Sequence, residues 1–237
     1  MKFFFATCCA IFPLLGNEPR TQPLEQEDWD FLTTSCSQYI RQHADDIEVM
    51  TNESGFYRVK IRLPKVLDRD IVDIRFNFWS GEEDLIVDEN IHNHPNYFES
   101  KIIHGSYDHE LFIESENPEA PGTNFLRCKI EKAQNTRSII DKQQVRLAVE
   151  KVETVQAGDH IAIPPSLIHR IVKFEPKTLS INVVYGEEGE KKVCYDVFFT
   201  EGSDPENQIN LRETLTGSER DAIIEEIIHL LENQVTS

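Results

Sequence analysis

The amino-acid sequence predicts an all-β barrel or sandwich, with a helical extension before it and a helix after it. Three observations predict this. Short runs with period-two alternation recur between turn clusters from Phe56 to Phe199. Leu24 to about Ala44 instead repeats Leu24, Trp29, Phe31, Leu32, Tyr39 and Ile40 at roughly helical spacing. Near the end, Ile223, Ile224, Ile227, Ile228, Leu230 and Leu231 form one broad apolar stripe.

The elements follow in order. The first helix carries Glu25, Glu27 and Asp28 near the positive end of its dipole. Asn52 to Gly55 is a turn cluster, and Phe56 to Leu63 alternates like a strand. Ile71 to Trp79 alternates more cleanly, with Val72, Ile74, Phe76 and Phe78 on one face and Asp73, Arg75 and Asn77 on the other. Ser80-Gly81 breaks it. Short β-like runs then cover 85–88, 91–94, 98–103 and 107–113, with turns at Pro95-Asn96 and His104-Gly105-Ser106. A Pro/Gly loop spans 117–123. Strands are expected at 125–131 and 145–155, joined by a polar connection, then at 161–163, 169–173, 179–185 and 193–199. Gly217-Ser218 can cap the last helix, with Asp221 three residues on from the serine. The expected organisation is an apolar arm and linker at 1–23, a helical extension at 24–55, a barrel at 56–200 and a helical tail at 201–237.

Composition excludes several classes. The formal net charge is −18, and no basic cluster offsets it. Such a field repels phosphate backbones and anionic lipid surfaces, which argues against nucleic-acid binding. The five cysteines, at 8, 9, 36, 128 and 194, include no C-x-x-C pair, and their odd number does not suit a disulfide framework. The apolar run from Phe3 to Leu15 has the length of a signal-peptide core and is too short to span a membrane. A single Lys2, Pro13 within the run and no A-x-A-like cleavage site favour an arm packed on the body of a cytoplasmic protein over a leader.

The chemistry concentrates in Ile91-His92-Asn93-His94-Pro95-Asn96-Tyr97-Phe98-Glu99 and in Pro164-Pro165-Ser166-Leu167-Ile168-His169. Two histidines two apart on a strand share a face, so both imidazoles can reach one ion. Glu99 follows a turn, and His169 can close the set from a distance. Imidazoles with at most one carboxylate suit Fe(II), Mn(II), Ni(II) or Zn(II) better than Ca(II) or Mg(II), which favour oxygen.

The order of these parts resembles the two-motif pattern of the cupin superfamily, whose members fold as a double-stranded β-helix or jelly-roll barrel. The resemblance covers about 76–185. It implies His92, His94, Glu99 and His169 as metal ligands. Ser166 stands where the second motif has glycine, Lys173 where it has asparagine, and no glycine opens the first motif. A narrower resemblance links Phe76-Asn77-Phe78-Trp79-Ser80-Gly81, His92-Asn93-His94, Lys101 to Gly105 and Ile168-His169-Arg170-Ile171 to cysteine dioxygenase and related thiol dioxygenases. Asn182 and Val184 replace that family's later histidine and tyrosine, and Glu99 stands where it has cysteine or glycine. A Cys–Tyr crosslink therefore cannot form here.

The residues leave Glu99 three roles: a ligand, a base beside a three-histidine iron, or a buried carboxylate paired with Arg58, Arg75 or Lys101. Tyr97, His104, Ser180, Asn182 and Arg75 are candidates to line the pocket. Arg58, Arg75 and Arg170 are candidates to hold a substrate carboxylate. His109 and His160 are expected to be solvated or structural. The resulting expectation is a metal-dependent cupin, foremost a non-haem Fe(II) dioxygenase acting on a small molecule, with Mn, Ni or Zn as other metals. A redox-neutral isomerase or lyase, or a non-catalytic binding barrel, is the alternative. The apolar tail stripe and a spare barrel edge are compatible with a homodimer.

Overall fold

The computed structural model describes residues 23–51, 55–62, 67, 71–81, 90–115, 117, 119, 121–133, 136–186, 192–208 and 213–234. The apolar arm before residue 23, its Cys8 and Cys9, and the β-like run at 85–88 lie outside the described residues.

Helix α1 (Gln26–Gln42) opens the chain, and the N–H of Glu25 donates to Asp28 Oδ2 at 3.1 Å at its first turn. The strands follow as β1 (Val49–Thr51), β2 (Tyr57–Ile61), β3 (Ile71–Trp79), β4 (Ile91–His92), β5 (Phe98–His104), β6 (Ser106–Ser115), β7 (Thr123–Ala133), β8 (Thr136–Gln156), β9 (His160–Ile163), β10 (Ile168–Val172), β11 (Thr178–Tyr185) and β12 (Lys192–Phe199). A short helix α2 (Pro205–Gln208) and the terminal α3 (Gly217–Gln234) complete the chain. Among the described residues, no helix is long and apolar enough to cross a membrane.

Two antiparallel sheets form the body. One runs β1-β2-β3-β11-β5-β9. The other runs β10-β4-β12-β7-β8-β6, and β6 pairs back onto β10 to close it. The strands at 57–61 and 71–79 match the sequence pattern closely. The polar connection expected between 131 and 145 is instead strand: β8 starts at Thr136, and its first half pairs with β7. That half is largely exposed, so no apolar alternation marks it.

The face of β3 that alternation makes apolar does not point into the barrel. Ile74, Phe76 and Phe78 join Leu179, Ile181 and Val183 of β11 in a core covered by α1 and α3. Trp29, Leu32 and Ile40 of α1 and Ile224, Ile227 and Leu231 of α3 pack there, each worth roughly 1.5–3 kcal/mol of burial. The tail stripe is thus consumed within the chain. The opposite, polar face of the same sheet lines the interior. β11 is buried along its whole length because both of its faces are covered. At one end of the interior Phe56, Trp79, Ile102, Tyr107 and Val155 pack together, with the Phe56 and Trp79 ring centroids 5.0 Å apart.

Two special backbone positions fall in the sequence motifs. Gly105, in the β5–β6 turn, has φ +75°, and a Cβ there would collide with the backbone and side chain of Thr178. Lys173, where the cupin motif has asparagine, has φ 47°. Asparagine tolerates this left-handed region better than lysine, so the motif position has a conformational reason.

Candidate metal centre

β4 and β10 pair with His92 directly opposite His169. Their pairing puts both rings on one side, with ring centroids 4.8 Å apart. His94 follows β4 in the turn toward Pro95, and its ring lies 4.6 Å from that of His92 and 4.9 Å from that of His169. The ligand atoms of His92, His94 and His169 all lie within 4.8 Å of one another. His94 Nε2 and His169 Nε2 are 2.8 Å apart.

The donor set fits a divalent transition metal. Burial pushes His94 and His169 well below the ordinary histidine range. The other histidines push them further down, and so do Arg75 and Arg58 in the case of His94. Both are neutral near pH 7. Two imidazole nitrogens bound to one ion at about 2.0–2.1 Å and a right angle stand about 2.9 Å apart, close to the observed separation. His92 Nδ1 lies 2.8 Å from the carbonyl oxygen of Asn90. That carbonyl can only accept, so Nδ1 carries the proton and Nε2 keeps its lone pair for an ion.

Glu99 corrects the expectation that a carboxylate completes this set or acts as a base beside it. Strand side chains alternate, and on β5 it is Phe98 and Ser100 that line the pocket. Phe98 packs edge-on against His94, with ring centroids 4.6 Å apart. Glu99 points the other way and is 1 % exposed. The N–H of Leu24 donates to its Oε2 at 2.9 Å, and the hydroxyl of Tyr185 donates to its Oε1 at 3.0 Å. It is a buried carboxylate satisfied by neutral donors rather than by a cation. Lys101 donates instead to Gln26 Oε1 at 3.2 Å.

The remaining pocket candidates divide. Arg75, Ser180 and Asn182 line the pocket, together with Arg58 and Asn77. Tyr97 does not: its ring packs against Tyr185, on the helix side of the sheet. His104 is exposed, and its Nδ1 meets the carbonyl of Lys177 at 3.1 Å. Arg170 is held by Glu110 at 2.6 Å and does not line the pocket. Arg75 is fixed by Asp73, its Nε donating to Oδ1 at 2.7 Å. Lys60 holds the same carboxylate at 2.6 Å. Burial pushes Asp73 up, yet Arg75 and Lys60 together outweigh it and hold the carboxyl below its usual range. Arg58 Nε donates to the neutral Asn77 Oδ1 at 3.1 Å. Asn182 donates to Ser180 Oγ at 3.1 Å.

Sequence reasoning missed His109. The expectation that it is solvated is overturned: it is 2 % exposed and lines the pocket. Its Nε2 lies 2.7 Å from His169 Nδ1. Burial lowers its pKa to about 4, offset in part by Glu153. The signal for it was present. Tyr107 and His109 are two apart on β6, and both turn inward.

No protein-family model matches the sequence, and no curated protein matches it. Solved structures do. The oxalate decarboxylase from Bacillus subtilis is 14% identical with a TM-score of 0.36, over 78% of this chain and 37% of that one. A hydroquinone 1,2-dioxygenase, solved with Cd2+ and 4-hydroxybenzonitrile, is 7% identical with a TM-score of 0.28, over 76% and 91%. A cupin-like protein from Thermotoga maritima is 9% identical with a TM-score of 0.21, over 74% and 87%. The chain spans little more than a third of the decarboxylase's length.

Proposed function

We propose that this chain, a cupin in fold, is a non-haem Fe(II) dioxygenase acting on a small anionic molecule such as a thiolate or phenolate. One observation carries the reading: three histidines converge in a pocket that Arg58 and Arg75 also line and to which no described carboxylate contributes. Bound Fe(II) would supply the electron transfer to O2 that side chains cannot. A three-histidine set adds no negative charge, so a divalent ion there stays strongly electrophilic and keeps positions open for ligands. Mn(II), Ni(II) and Zn(II) fit the same donors.

The chain's own residues have separable tasks. His92, His94 and His169 would hold a divalent ion in the pocket. Arg58 and Arg75 make the pocket attractive to anions within a chain whose net charge is −18. Arg75 is a fixed charge because Asp73 locks it. Arg58, whose Nε donates to Asn77 Oδ1 and whose guanidinium lies 5.0 Å from the Phe56 ring centroid, adds a second cation to the pocket wall that can attract a carboxylate or other anion. Phe98, Ile161, Ile163 and Ile171 supply apolar walls that exclude water.

The redox-neutral alternative relied on Glu99 as a base, and Glu99 faces the helices. The test is anaerobic loading with Fe(II), followed by oxygen-uptake measurements over a panel of small thiols and phenols. Stoichiometric metal and substrate-dependent uptake are expected. Stoichiometric metal with no uptake across the panel would move the function to a redox-neutral reaction. Failure to take up metal would leave a non-catalytic binding barrel.

A further inference from the structure

Four of the eight histidines meet in the pocket, and three of them form the candidate metal site. The fourth, His109, touches one of those three, and one of its own ring nitrogens is left without a hydrogen bond. We propose that Glu153, acting through His109, fixes the tautomer in which His169 can bind a metal. The inference rests on the metal-centre reading and makes His109 and Glu153 positioning residues.

Proton accounting carries it. A neutral imidazole has one N–H and one acceptor nitrogen. The 2.7 Å contact between His109 Nε2 and His169 Nδ1 needs one proton between them. If His109 supplied it, His169 would carry its own proton on Nε2, aimed at His94, and could not ligate. His109 Nδ1 would then be a bare acceptor facing a carboxylate. If His169 supplies it, His169 Nε2 is a free lone pair, and His109 must carry its proton on Nδ1.

Geometry favours the second arrangement. His109 Nδ1 is fully buried and has no hydrogen-bond partner, and Glu153 Oε1 lies 3.8 Å from it. His109 and Glu153 sit directly opposite each other in the β6–β8 ladder. Glu153 is about a third exposed, and a small rotation of its carboxylate, which also meets Lys151, closes the gap. A buried N–H without a partner is costly, which gives that rotation its drive. The chain of hydrogen bonds then runs from Glu153 to His109 Nδ1–H, and from His109 Nε2 to His169 Nδ1–H. Ligating histidines are commonly oriented by a carboxylate on the far nitrogen. Here an extra imidazole is interposed.

The test uses the full chain, 15N-labelled at histidine and free of metal, near neutral pH. Long-range 1H–15N correlations report which ring nitrogen carries the proton. Nδ1–H is expected for both His109 and His169. In Glu153→Ala, both rings should become tautomer mixtures, and Zn(II) affinity should fall on the order of tenfold, within the range for such partners. His109→Gln, which keeps an acceptor for His169 Nδ1–H, should retain more affinity than His109→Phe. An Nε2–H tautomer for His169 in the wild type, or unchanged tautomers in Glu153→Ala, overturns the inference. If the wild type fails to bind Zn(II), the metal-centre reading falls, and the tautomers still decide this one.

Discussion

Phe98 and Glu99 leave β5 on opposite faces: the Phe98 ring lies 4.6 Å from that of His94, whereas Glu99 accepts from Leu24 N–H at 2.9 Å behind the sheet. One residue of alternation thus separates the metal centre from the helix dock. Glu99→Gln should therefore leave metal stoichiometry unchanged. An amide cannot accept on both arms, so one buried donor loses its partner, and stability should drop by about 1–3 kcal/mol. Metal titration and thermal melting of the variant check both halves. A large loss of metal with unchanged melting would return Glu99 to the ligand set.

His94→Ala should abolish stoichiometric binding of a divalent transition metal. His104→Ala should not, because His104 sits exposed at the β5–β6 turn with Lys177. His109 is no neutral control, given its contact with His169. Elemental analysis of the purified variants reads the difference, and equal occupancy in both would contradict the ligand assignment.

Arg58→Met should weaken binding of anionic ligands about tenfold or more, as expected for loss of one charge-assisted contact, beyond any stability lost with its Phe56 and Asn77 contacts. Arg75→Met should cost stability as well, since the buried Asp73 would keep only Lys60. Ligand titration beside melting separates the two arginines. Identical, purely structural effects would remove Arg58 from substrate binding.

Acid should destabilise the metal-free protein before its carboxylates titrate. His109 is held neutral down to about pH 4, against an ordinary 6.5, and burial also lowers His94 and His169. Between those pH values the unfolded chain binds more protons than the folded one, so stability falls as pH falls. The contribution is fully present above about pH 6.5 and is lost toward pH 4. For His109 alone it is on the order of 3 kcal/mol. Melting temperatures across this window should decline, and less steeply in His109→Phe. A flat profile would mean that the cluster is not buried in solution.

Much of the fold was legible in the sequence because alternation and helical spacing are local. Ile71–Trp79 and the terminal apolar stripe are read directly from them. What alternation does not reveal is which face turns inward. On β3 the apolar face meets α1 and α3, and Asp73, Arg75 and Asn77 face the interior, a choice made by helices distant in sequence. The start of β8 was missed because an exposed strand has no apolar face to alternate. At the metal centre His92, His94 and His169 were found by spacing and order. Glu99 was misassigned because a one-residue register difference reverses a side chain. His109 was overlooked because its partner His169 lies 60 residues away.

The most direct test of the three-histidine centre is X-ray absorption at the metal edge of the loaded protein. Three imidazole nitrogens at about 2.0–2.2 Å are predicted, with any remaining ligands lost or exchanged on addition of small anions. A persistent protein carboxylate in the coordination sphere, or fewer than three imidazoles, would contradict it.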